Sequence, residues 1–149
     1  MNSSRDDVLD LFGYVWQRFR TRMEGLGDEE WRWQPSRDDR VTLRTGAGRA
    51  GAGPAGGVRT GTGSAGAAPT GELCAESAVA ALAEVEAAYG LWRNQLAAIS
   101  DESFEEPIGP AAGHYGDATR RSFALHIVDE LIHHAAEAAL LRDLYAGRD

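Results

Sequence analysis

The stretch that decides the fold runs Arg121-Ser-Phe-Ala-Leu-His-Ile-Val-Asp-Glu-Leu-Ile-His-His-Ala-Ala-Glu-Ala-Ala-Leu-Leu-Arg142. Alanine and leucine dominate it and no Gly or Pro interrupts it, so it reads as one long helix. Thr119 or Ser122 can cap its start, and Gly147 lies just past its end. At about 100° per residue, His126, Glu130 and His134 fall at about 0°, 40° and 80°, with Glu137 at about 20°. All four share one stripe. Residues four apart on a helix have Cβ atoms roughly 5–6 Å apart, close enough for two side chains to hold one metal ion. H-E-x-x-H helices bind zinc for that reason, and Glu130 and His134 have the same spacing. The pairs His126/Glu130 and His133/Glu137 repeat it. Beside the stripe, Ile127, Ala138, Leu131, Ala124 and Ala135 run from about 100° to 180° and form an apolar face for a partner helix. A solvated face stitched by i,i+4 pairs gives the same pattern, so ligation and surface pairing both stay open. Two ligands do not complete a zinc site, which takes three or four protein donors.

Working outward, 149 residues are enough for one domain with a single modest core. The formal charge of −8 argues against phosphate-backbone binding, which needs a basic face. All of the positive charge is arginine, and Cys74 is the only cysteine, so neither an internal disulfide nor a thiolate cluster can form. The N-terminus is polar and acidic, unlike a signal peptide, and no apolar run approaches the length of a membrane span. A cytoplasmic protein with neither nucleic acid nor membrane as partner is expected.

Ser3 or Ser4 followed by Arg5, Asp6 and Asp7 makes a capped helix start. Val8, Phe12, Val15, Phe19 and Met23 continue at helical spacing, widened by Leu9, Leu11 and Trp16, until Gly25 and Gly27. Asp28 to Pro35 reads as a capped helical turn whose Trp31 and Trp33 fold over the end of a bundle. Between Thr45 and Gly71, ten of 27 residues are glycine and Val58 is the only larger aliphatic. Such a segment buries too little apolar surface to offset its ordering entropy and is expected to be a flexible insert. Its composition breaks abruptly at both edges, as an out-of-frame stretch of a GC-rich gene would; resequencing the gene tests that origin. Leu82, Val85, Tyr89, Trp92, Leu96 and Ile99 then alternate in steps of three and four, a second long seam. Ser100 to Asp117 carries the Pro and Gly of a loop, with His114 expected in solvent. No strand-like alternation occurs, and an all-α bundle follows.

Two stretches together, Leu26-Gly-Asp-Glu-Glu-Trp-Arg-Trp-Gln-Pro35 and Leu125-His-Ile-Val-Asp-Glu-Leu-Ile-His-His134, resemble the DinB-like superfamily. Its relatives include mycothiol-dependent maleylpyruvate isomerases and bacillithiol or mycothiol S-transferases. The resemblance covers roughly residues 4–44 and 74–146 and implies an up-down-down-up four-helix bundle. It further implies a divalent metal, zinc or nickel, held by a histidine of the second helix and two ligands four apart on the last. Carried over, those two fall on Glu130 and His134, with His126 one turn earlier as a base or a third ligand and His133 as neighbour. The second helix begins suitably at Arg40-Val-Thr-Leu-Arg44 and then gives way to the Gly/Ala-rich segment, and no histidine precedes His114. The chain is therefore expected to be a thiol S-transferase or isomerase type, taking mycothiol or another small thiol and an electrophile, with an impaired metal site. The alternative is a non-catalytic bundle that self-associates, for instance as a homodimer, through the face left bare by the missing helix.

Overall fold

A computed structural model describes residues 2–36, 42–43 and 76–148. In chain order it contains α1 (Ser4–Met23), α2 (Asp28–Arg32), α3 (Ala78–Ala98), α4 (Asp101–Phe104), a 3-10 turn (Pro110–Tyr115) and α5 (Arg120–Ala146). The expected 45–71 insert and Cys74 lie outside the described residues, as does the second helix beyond Leu43.

Each helix starts where its chemistry directs. Ser3 Oγ accepts from the Asp6 amide while an Asp6 carboxylate oxygen accepts from the Ser3 amide, a reciprocal capping box. Ser77 and Thr119 cap α3 and α5 by accepting from Ala80 and Ser122. Gly25, just past the end of α1, takes φ 72°, a left-handed conformation that suits glycine.

Two apolar clusters fill the interior. One joins Trp16, Phe19 and Met23 of α1 to Ala78, Ala81 and Val85 of α3 and Ala138 and Leu141 of α5, with Leu26 and Trp31 closing the end. The other joins Val8, Phe12 and Val15 to Leu96 of α3, Phe104, and Ala124, Ile127, Val128 and Leu131 of α5. Since the C-terminal half of α1 meets the N-terminal half of α3 and the C-terminal half of α5, α1 and α5 run parallel and α3 runs against both. That is the up…down-up order expected for the first, third and last helices of the bundle. Leu43, where the second helix is expected to begin, is buried in the first cluster.

Polar contacts fix the helix ends. Asp28 Oδ1 accepts from the Ala78 amide at 2.9 Å, tying the start of α3 to α2. Arg142 Nε donates to Glu30 Oε1 at 2.7 Å and Nη2 to Glu30 Oε2 at 3.2 Å, while Nη1 donates to the carbonyls of Arg22 and Glu24. Both partners of this fork are largely buried, so it clamps α5 to the α1–α2 turn.

Three local expectations are refined. Leu11 remains 41% exposed on the flank of the α1 stripe and does not widen the core. The Ser100–Asp117 loop contains a helical turn, because Ser100 Oγ accepts from the Ser103 amide and Phe104 inserts into the core. Its 3-10 turn is closed at the base by a bridge between Pro107 and Thr119. Trp33 stays partly exposed against Tyr145 rather than sharing the burial of Trp31.

Breaking a buried ion pair leaves an uncompensated charge and costs about 3–5 kcal/mol, whereas replacing both partners costs far less. Arg142→Met alone is expected to destabilise the protein by about 3 kcal/mol, and the double change with Glu30→Met by clearly less. Denaturant unfolding of wild type, both single variants and the double variant checks this; additive losses would count against the clamp.

Candidate metal centre

The last helix of this bundle places one histidine inside and its polar neighbours at the edge. His134 follows Leu131 of one apolar cluster and precedes Ala138 of the other, and it shares their inward face. Its side chain is 8% exposed, against 38% for Glu130, 43% for Glu137 and 51% for His126. A buried imidazole needs partners for both ring nitrogens, and the helix supplies one on each side.

His134 Nδ1 lies 2.7 Å from Glu137 Oε2, in hydrogen-bond geometry. His134 Nε2 lies 3.2 Å from Glu130 Oε2, within ion-pair distance. An ionised carboxylate only accepts, so the Glu137 contact places a proton on Nδ1, and Nε2 is the ring nitrogen that faces Glu130. A metal-ligating histidine commonly has this arrangement, its far nitrogen donating to an orienting carboxylate. Two donors bound at about 2.1 Å to one ion, at angles between octahedral and tetrahedral, stand about 3.0–3.4 Å apart. The Nε2–Oε2 separation matches that bite.

The chain of contacts extends both ways. Glu137 Oε1 is 3.1 Å from His133 Nε2, and Glu130 Oε1 is 4.0 Å from His126 Nδ1. Imidazole and carboxylate thus alternate over five side chains from His126 to His133. Among the described residues, the compact donor groups are His133/His134/Glu137 and His126/Asp129/Glu130, all of them on α5. His114 joins neither; it is exposed and rests its ring on Tyr115, 3.7 Å between centroids. Val15 and Trp16 of α1 and Tyr89 of α3 belong to the two clusters whose α5 members flank His134, and the Tyr89 ring stacks on Trp16 at 4.3 Å. The Glu130–His134 pair therefore fits as two donors of a metal site. No third donor from another helix joins it among the described residues.

The sequence pairs Glu130 with His134 and puts Glu137 on the same stripe, but it does not reveal the orienting role of Glu137. The readable signal for that role is the His134-x-x-Glu137 spacing, since residues three apart also meet.

A family model described as DinB superfamily matches residues 11–138. The chain belongs to the DinB superfamily. Neither a curated protein nor a solved structure matches it. In this DinB-superfamily chain no described helix is long and apolar enough to cross a membrane.

Partial burial raises the Glu137 carboxyl, but the hydrogen bond and charge of His134, followed by those of His133, outweigh it and hold the group below its ordinary value of 4.5. A lowered carboxylate contributes stability that is fully present above the ordinary value and is lost as the pH falls through the lowered one. Glu137→Gln is therefore expected to lower Tm at pH 7 and to reduce the further fall between about pH 5 and pH 3. Thermal unfolding across that range checks it. An acid-side fall identical to that of the wild type would contradict the assignment.

Proposed function

We propose that this DinB-superfamily chain is a cytoplasmic enzyme of the metal-dependent thiol S-transferase or isomerase type, with a metal site weakened to two donors. The supporting observation is the buried His134, its Nδ1 tied to Glu137 and its Nε2 3.2 Å from Glu130 Oε2. Glu130 and His134 are the donors to a divalent ion, zinc or nickel. Such an ion, when bound, lowers the pKa of a thiol or water so that it attacks at neutral pH. His126, half-exposed beside the other oxygen of Glu130, is the base that takes the proton of an incoming small thiol, mycothiol being the family's candidate. With all donors on one helix, affinity is expected to be weak.

Titration of the metal-free protein with zinc and nickel tests the reading. Binding in the micromolar range or weaker is expected, lost in His134→Ala and Glu130→Gln and kept in His126→Ala, while His126→Ala slows thiol consumption by about 100-fold. Absence of binding at millimolar metal, or binding indifferent to His134→Ala, would overturn it.

A second reading, a non-catalytic bundle that self-associates, is favoured by one row on α5. Ile132, Ala136, Leu140 and Leu144 follow at intervals of four and all are exposed. Contiguous exposed apolar surface commonly marks an interface. Under this reading sedimentation shows a dimer that Leu140→Glu dissociates, and a monomer at all concentrations removes it.

A further inference from the structure

Helices α3 and α5 each pack on α1, and below the His134 level a cavity of about 600 Å³ opens between them. Buried Phe12 of α1 forms its floor, Trp92 and Leu91 of α3 one wall, and Phe123 and Ile127 of α5 the other. Trp92 and Phe123 meet edge to face, 5.9 Å between centroids, and both rings remain partly exposed to the space. The size suits a small molecule, and the lining is of the mostly apolar kind that encloses one.

Among the described residues, the charged side chain of the lining is Arg120, and it is paired. Arg120 Nη1 donates to Glu106 Oε2 at 2.8 Å, to the Ser103 carbonyl at 2.8 Å and to Ser103 Oγ at 2.6 Å. A charged ligand would enter largely apolar walls whose described cation is already paired with Glu106, which is costly. The exposed Gln95 amide is the other polar side chain of the lining and suits a neutral polar group.

The cavity also lies on the same side of α5 as the candidate donors. Taking His126 as 0° at about 100° per residue, Phe123 falls at about 60° and Ile127 at about 100°, on either side of His134 at about 80°. Ile127 is about 4.5 Å below Glu130 along the axis.

We propose that this cavity binds a neutral, largely apolar or aromatic small molecule, and that its upper end presents that molecule to the Glu130–His134 pair. The binding stands on the cavity alone; the presentation rests on the metal reading above and would make the ligand the electrophilic substrate.

The neutral fluorophore phenylnaphthylamine is the probe, and its anionic relative anilinonaphthalene sulfonate is the comparison. Wild type is expected to bind the neutral dye with micromolar affinity and the anionic dye at least about tenfold more weakly. Ala88→Trp fills the space from α3, and Leu91→Glu sets a charge at an already exposed lining position and so keeps the fold. Each is expected to weaken neutral-dye binding at least about tenfold, with little change in Tm for Leu91→Glu. Absence of dye binding to wild type, binding unchanged by Leu91→Glu, or preference for the anionic dye would overturn the inference. Failure of the metal titration with dye binding intact would remove the presentation step and the metal reading, and would leave the cavity as a ligand site.

Discussion

A histidine placed between two apolar clusters must find a partner for each ring nitrogen without leaving its own helix. That constraint governs the functional end of the molecule. His134 occupies a position that Leu131 and Ala138 define as core, and water is kept away from it by the same packing that holds α1 against α5. Glu137 and Glu130 sit one turn after and one turn before it, where helix geometry lets side chains three and four apart meet. The result is an imidazole fixed in rotation, with one nitrogen committed to a carboxylate and the other aimed at a second carboxylate.

The surrounding fold accounts for the geometry of this arrangement. Parallel α1 and α5 with antiparallel α3 give the candidate donors a rigid support, held at one end by the buried fork of Arg142 on Glu30. Among the described residues, the two clusters that flank His134 along α5 draw apolar and aromatic side chains from α1 and α3. A second-helix histidine, which the family resemblance implies, has no counterpart in the sequence before His114. Donors confined to one helix can match a single bite distance, but they cannot surround an ion. Below this level, the gap between α3 and α5 leaves an apolar space on the same side of α5 as the candidate donors.

Much of this was legible in the chain. The step-three-and-four seams of α1 and α3 and the unbroken Ala/Leu composition of α5 specify three long helices, because periodicity reports which face is buried. The stripe of His126, Glu130, His134 and Glu137 was equally visible, since spacing on a helix follows from angle alone. Burial was not. Angle places His134 and Glu130 side by side at the border of the apolar face, yet one is inside and the other is not, and only the packing of α1 and α3 decides that. The roles of the two carboxylates were hidden for the same reason: both lie within one turn of His134, and the choice between Nδ1 and Nε2 depends on the rotamer that the core imposes. The cavity was invisible as well, because Trp92 and Phe123 carry the same signature whether they close a core or line a space.

The most direct test is the proton position on His134. A long-range proton–nitrogen correlation spectrum of the histidine side chains in metal-free protein reads it at neutral pH, with His134→Ala giving the assignment. The account predicts a hydrogen on Nδ1 held by Glu137, and on adding zinc a change at Nε2 rather than at Nδ1. A tautomer with hydrogen on Nε2, or zinc perturbing Nδ1 instead, would contradict it.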